Sequence, residues 1–156
     1  MNIERQLAVL DLNARYAEAI DEGRLEEWPD FFTDDGKYRV TTAENVARNL
    51  PLSLIYATSR AMLRDRVKAL REANIYEAQR YRHMLGASRI EPGEGGALQV
   101  RTSFMAARIM HTGETTLFAT GSYRDRVVLD GGTARFAERT VILDSRQIDT
   151  LLAIPL

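Results

Sequence analysis

From Tyr81 to Leu143 the chain alternates apolar and polar residues in four long segments, Tyr81–Ile90, Leu98–Met110, Thr115–Leu129 and Thr133–Leu143. Period two is the signature of strands, because successive side chains point to opposite faces of a sheet. The separators are Pro92-Gly93-Glu94-Gly95-Gly96, His111-Thr112-Gly113-Glu114 and Asp130-Gly131-Gly132. All three are short and rich in turn formers, so consecutive segments pair as hairpins in an antiparallel meander. Strands this long need somewhere to bend, and Gly121 in mid-strand predicts a bulge or bend that lets the sheet curl.

Everything before Tyr81 must then cover one face of that sheet. Ile3, Leu7, Leu10, Ala14 and Ala17 recur at helical spacing and predict an amphipathic helix with that stripe inward, ended by Gly23 as a left-handed cap. Glu26 to Phe32 reads as one or two short helical turns, with Trp28, Phe31 and Phe32 as core anchors. Thr33-Asp34-Asp35-Gly36 has the composition of a turn, and Lys37 to Thr42 alternates as a first strand with Tyr38 and Val40 on one face. Residues 43–57, interrupted by Pro51, show no period and read as a long loop. A second helix is predicted over Thr58 to Ala73, with Leu63, Val67 and Leu70 inward. Arg60, Arg64, Lys68 and Arg71 fall on its other side, as a solvated ridge or one that meets an acidic partner. The expected architecture is a single α+β domain over residues 1–156, with N-terminal helices packed on a strongly curved, mainly antiparallel sheet.

Composition narrows the chemistry. There is no cysteine, and His83 and His111 are the two histidines. A catalytic thiol is excluded, as is a Rieske cluster, which needs two cysteines and two histidines. A net charge of −1 offers no general attraction to nucleic acid or anionic lipid. No apolar run is long enough to span a bilayer, and the first residues lack a secretory pattern, so the expected location is the cytoplasm.

Two readings compete for His83. In one it is a general base in a pocket, beside a carboxylate such as Asp34 or Asp35 and with Tyr38. In the other it is a strand histidine that holds an aspartate or backbone in place, and the chain has no catalytic residue. Tyr16, Tyr38, Tyr56, Asp21 and Glu138 are candidates for a polar interior. His111 belongs to a hairpin turn. Arg101, Arg124, Arg126, Arg135 and Arg139 are spread over adjacent strands, where an interface would use some of them in ion pairs. The run 148–156 is apolar for a chain end and is read as docked, with a subunit contact favoured over its own core.

The order of elements resembles the nuclear-transport-factor-2-like cone fold. Trp28-Pro29-x-Phe31-Phe32-Thr33-x-Asp35 with Tyr38, Met62-Leu63-x-Asp65-Arg66-Val67, Tyr81-Arg82-His83, Gly121-x-Tyr123-x-Asp125 and Glu138-Arg139 resemble the small (β) subunit of Rieske-type aromatic-ring-hydroxylating dioxygenases. Within that family, Arg71-Glu72-Ala73-Asn74-Ile75-Tyr76-Glu77, Arg108-Ile109-Met110-His111-Thr112-Gly113-Glu114-Thr115 and Asp149-Thr150-Leu151-x-Ala153-x-Pro155-Leu156 are similar to the small subunits of terephthalate dioxygenases. The resemblance implies a non-catalytic structural subunit that binds a large (α) subunit and copies of itself in an α3β3 hexamer. It also implies that the large subunit carries the Rieske [2Fe-2S] cluster and the mononuclear iron, fed from NAD(P)H through a reductase. The rival is a stand-alone cone-fold dehydratase or isomerase that uses His83 with a carboxylate.

Overall fold

The computed structural model describes residues 2–73, 77–146 and 154–156. Helix α1 (Ile3–Asp21) begins where Asn2 Oδ1 accepts the Arg5 N–H at 3.0 Å. It ends in a Schellman motif: Gly23 sits at φ 74°, its N–H donates to Ile20 O at 3.0 Å, and Arg24 N–H donates to Ala19 O at 2.8 Å. A 3-10 helix (Leu25–Phe31) follows and buries Trp28 and Phe31. The chain then forms β1 (Phe32–Thr42), the short helix α2 (Ala43–Ala47), β2 (Ile55–Ala57) and α3 (Arg60–Ala73). The meander is β3 (Gln79–Pro92), β4 (Leu98–Met110), β5 (Thr115–Asp130) and β6 (Thr133–Leu143).

The six strands make one sheet in the order β2-β1-β6-β5-β4-β3. All pairings are antiparallel except β1 with β6, where Lys37↔Glu138 through Thr42↔Leu143 run parallel. Helix α1 packs on β3 and β6, and α3 packs on the 3-10 helix and β1. A single core results, with Tyr16, Trp28, Phe32, Tyr38, Tyr81, Tyr123, Phe136 and Leu156 all at or near zero exposure.

Several expectations need correction. The inward face of α1 is Val9, Leu12, Asn13, Tyr16, Ala19 and Ile20; Ile3, Leu7, Leu10 and Ala14 face outward, and only Ala17 of the predicted stripe is buried. This helix has two apolar faces, and periodicity alone does not choose between them. Residues 43–57 are not one long loop. The Thr42 side chain caps α2 by accepting the Asn45 N–H at 3.2 Å, and β2 pairs with β1 through Val40↔Ile55. Thr33 to Gly36 form an irregular entry to β1 rather than a separate turn, since the register with β6 shifts between Phe32 and Lys37. Gly121 lies in register between Phe104 and Leu143, so it is not a bulge. The register shifts lie at 85–88 in β3, near Phe118 in β5 and near Ala137 in β6.

The arginine ridge of α3 is largely engaged by the rest of the chain. Arg60 reaches Asp34 at 2.6 Å and the Phe32 carbonyl, Arg64 reaches Asp30 at 3.6 Å, and Arg71 reaches Glu26 at 2.8 Å and the Gly23 carbonyl at 2.5 Å. These groups stitch α3 to the 3-10 helix and the start of β1.

Gly121 is needed for a close approach of strands: a Cβ there would overlap the carbonyl oxygen of Ile142 on β6. Gly121→Ala is expected to force β5 and β6 apart and to lower stability by about 1–3 kcal/mol, as overpacking does. Urea unfolding checks this, and an unchanged midpoint would show that the strands have room.

Candidate functional site

The interior of the cone is polar at its centre. Arg139 on β6 is fully buried. Its Nε and Nη2 donate to the two carboxylate oxygens of Asp125 on β5 at 2.9 and 2.8 Å, and Nη2 also donates to Asn13 Oδ1 on α1 at 2.5 Å. The guanidinium carbon lies 4.3 Å from the ring centre of Tyr16, 3.8 Å from that of Tyr123 and 4.0 Å from that of Phe136. Asn13 Nδ2 extends the network to Thr102 and Ser88 at 3.3 Å each. Burial works against the charge on Arg139, but Asp125 outweighs it and holds the guanidinium above its ordinary value. Burial pushes the Asp125 carboxyl up, and Arg139 offsets part of that rise.

Arg139 faces inward because of a local irregularity. Ala134 and Phe136 are buried at even positions, whereas Arg139, Val141 and Leu143 are buried at odd ones. The register shift around Ala137 changes the parity. Simple alternation would place Arg139 outward with Arg135, so the central cation is not legible from period two.

A second buried polar pair joins α1 to β3. Asp21 at the end of α1 accepts the His83 N–H at 2.8 Å through Oδ2 and meets His83 Nδ1 at 2.6 Å through Oδ1. His83 Nε2 is buried without a hydrogen-bond partner, and the ring packs 6.0 Å from Tyr81 and 6.1 Å from Phe104 between centroids. The histidine thus has an aspartate partner, but it is Asp21 and not Asp34 or Asp35. The Asp34 side chain is 93% exposed and pairs with Arg60. Tyr38 faces the core and bonds to Leu156. His83, Asp34 and Tyr38 therefore do not form one cluster. Tyr16, Asp21 and Tyr38 are inside the cone, whereas Tyr56 and Glu138 are exposed. His111 sits exposed in its hairpin turn, with Nδ1 3.2 Å from Glu77.

The far end of the chain fills the remaining space. The Leu156 carbonyl accepts from Tyr16 OH at 2.7 Å and Tyr38 OH at 2.9 Å, and Leu156 N–H donates to Tyr38 OH at 3.0 Å. Trp28 Nε1 donates to Tyr16 OH at 3.2 Å, and Tyr81 OH lies 3.4 Å from the Ile154 carbonyl. Ile154, Pro155 and Leu156 are buried in the chain's own core, which corrects the expectation of a subunit contact for them; the rest of that run, 148–153, lies outside the described residues. No sequence signal connects Leu156 with Tyr16 and Tyr38, because the contacts span 140 and 118 residues.

A general base must reach the proton it removes. Around His83 the ring packs against Tyr81 and Phe104 and Nδ1 is held by Asp21, which joins helix to strand, while Nε2 is buried without a partner. A surface groove of about 500 Å³ does exist, between the 3-10 helix and α3, but its lining of Glu26, Asp30, Arg64, Lys68, Arg71 and Glu72 is largely ion-paired. Among the described residues no three His, Asp or Glu side chains gather closely enough to hold a metal ion. Nor is any helix among them long and apolar enough to cross a membrane.

Two outcomes follow from this interior. His83→Ala and Asp21→Ala should each lower stability by about 1–3 kcal/mol, since either strands a buried polar group; denaturant unfolding measures it, and a cost near zero would remove the linking role. Burial also raises Tyr16 above the ordinary phenol value of 10.0, and Tyr38 and Tyr123 well above it. The folded state therefore favours the protonated phenols. Their contribution is intact below pH 10.0 and is lost as pH rises through the higher folded values. Alkaline titration at the phenolate absorption band should show these tyrosines ionising only as the fold melts.

The comparisons with known proteins agree with this arrangement. Residues 1–140 match the SnoaL-like domain. The chain is 46% identical over 151 residues to the terephthalate 1,2-dioxygenase terminal oxygenase component subunit beta 1 of a Comamonas species, covering 97% of this chain and 98% of that one. It is 37% identical to the anthranilate 1,2-dioxygenase small subunit of Burkholderia cepacia, over 93% of this chain and 90% of the relative. A crystal structure from Novosphingobium aromaticivorans, given provisionally as the beta subunit of an aromatic-ring-hydroxylating dioxygenase, superposes with a TM-score of 0.88 at 41% identity and covers 97% of each chain. Fold, interior and likeness over nearly the full length thus converge: the chain belongs to the SnoaL-like domain family and, within it, to the small (β) subunits of aromatic-ring-hydroxylating dioxygenases.

Proposed function

We propose that this chain acts as one cone-shaped structural unit of an oxygenase that dihydroxylates an aromatic carboxylate of the terephthalate type in the cytoplasm. The observation that carries the substrate class is the 46% identity to a terephthalate 1,2-dioxygenase beta subunit across nearly the whole of both chains. The subunit has no catalytic residue of its own in this reading. Its interior is committed to the Asn13–Arg139–Asp125 network, the Asp21–His83 link and the docked Leu156. The redox centres reside in the large subunit as a Rieske cluster and a mononuclear iron, supplied with electrons from NAD(P)H by a reductase. This chain's residues do not fit either centre, because it has no cysteine and its two histidines are otherwise placed, one buried on Asp21 and one in an exposed hairpin turn.

A subunit with this role contributes geometry. A filled, hydrogen-bonded core keeps the outer surface rigid, and a rigid surface can hold large subunits in a fixed mutual arrangement. The assembly we propose is an α3β3 hexamer, with this chain also contacting its own copies.

Co-expression with the large subunit of the same oxygenase tests the reading. An equimolar complex is expected, with cis-dihydrodiol formation from terephthalate only when both chains and an electron supply are present. The chain purified alone should be colourless, free of iron and inactive as a dehydratase or isomerase. Iron in stoichiometric amount, or turnover by the isolated chain, would overturn the assignment.

A further inference from the structure

The described sheet has two outer strands, and they are unequal. β2 at one end has three residues, and so short an edge offers little to pair with. β3 at the other end has fourteen. Its register shifts between Leu85 and Ser88, and an irregularity of that kind spoils an edge for pairing. Residues 79–85 are left as its regular stretch. Two hydrogen bonds fix which way the backbone groups of that stretch point. The Ala78 carbonyl accepts the His111 N–H at 3.0 Å, and the His83 N–H goes to Asp21 rather than to β4. Opposed residues of an antiparallel ladder exchange either both bonds or neither. The even positions therefore bond to β4, whereas Tyr81, His83 and Leu85 turn their N–H and C=O groups to the outer side.

Asp21 stands at the middle of this outer side. Its oxygens are divided: Oδ1 meets the imidazole at 2.6 Å, and Oδ2 is given to the His83 backbone N–H at 2.8 Å. Asp21 is also the last residue of α1, whose last turn has no basic residue, and a carboxylate there opposes the helix dipole. Only a contact outside the helix offsets that cost. We propose that Asp21 is an edge guard: by occupying the His83 N–H it keeps β3 from pairing with β3 of a second copy. The strand's own sequence makes a second copy the fitting occupant. Antiparallel pairing centred on His83 sets Tyr81 opposite Leu85, Arg82 opposite Met84 and Arg80 opposite Gly86 of the other copy. Arg80, Arg82 and Met84 are exposed, and no arginine of the stretch faces another in this register, so like charge does not prevent it. A carboxylate at the centre of the register does. The bond to the imidazole seats the helix; the bond to the backbone closes the sheet.

Four variants of the full chain test the guard. Asp21→Ala removes the acceptor, and Asp21→Leu does so while refilling the space, which keeps the test open if the alanine variant does not fold. Asp21→Asn keeps an acceptor for the N–H, and His83→Ala removes the imidazole but leaves the backbone N–H to Asp21. Sedimentation and residue-resolved amide exchange are followed against concentration. The two acceptor-free variants are expected to grow past the wild-type size at a concentration about tenfold lower than wild type does. Their residue 83 amide should exchange faster than in wild type when dilute and regain protection as copies pair. Asp21→Asn and His83→Ala should keep wild-type association, although His83→Ala loses stability. Association of His83→Ala as strong as that of Asp21→Ala would assign the effect to lost stability and overturn the proposal. Unchanged association of the acceptor-free variants would do the same, as would association that leaves the 81, 83 and 85 amides unprotected.

Discussion

A guanidinium with no access to water stands at the centre of this fold. Arg139 draws α1, β5 and β6 to one point through Asn13 and Asp125, and three aromatic rings close over it. A buried cation is tolerable only with its partners in place, because an unpaired one costs several kcal/mol. The helical layer therefore has one seating on the sheet that satisfies the charge. An apolar core of the same shape would tolerate small slides of α1 that Asn13 and Asp125 forbid. Asn13, Asp125, Tyr16 and Tyr38 are engaged with Arg139 and Leu156, whereas Arg139 Nη1, Tyr123 OH and His83 Nε2 are buried without a hydrogen-bond partner.

Much of the framework is legible in the residues. The four meander strands follow from alternation and from their glycine-rich separators, and their limits agree closely with β3 to β6. Gly23 is a left-handed cap as its position demands, and Trp28, Phe31 and Phe32 are core anchors because an aromatic-rich 3-10 turn has nowhere else to put them. What alternation and periodicity miss has definite causes. The inward face of α1 contains Asn13 and Asp21, polar residues whose partners lie on strands more than sixty positions away, and Tyr16, which bonds to Trp28 and to Leu156. A hydrophobic stripe is blind to such a face, and it selects the solvent side instead. Arg139 is hidden by a register shift, and β2 is hidden because three residues carry no readable period.

The partner of His83 shows the same limit at the level of a site. Its strand, burial and need for a carboxylate follow from the residue type and its neighbours. The identity of that carboxylate does not, because Asp34 and Asp21 are both near the helix-to-strand turn in sequence. The end of α1 decides it: the Schellman turn points the chain away just after Asp21, which leaves that side chain against β3. Asp34 is carried to the surface and to Arg60 instead. Local turn geometry thus assigns a long-range contact, and the family's shared fold carries no catalytic meaning until that assignment is made.

The strand order also has a kinetic consequence. β6, the last of the six described strands in chain order, lies in the middle of the sheet between β1 and β5, and β1 is the first of the six. During synthesis the N-terminal half therefore has its short pairing with β2 but no neighbour on its other edge, and the charge network has no Arg139 to close on. Pairings of such long sequence separation make nucleation slow and late. The meander of β3 to β5 can form by local hairpins, but the cone cannot close until β6 has been translated. Any encounter with another chain that needs a closed cone must therefore wait until β6 has been made, so order of assembly is written into the order of strands.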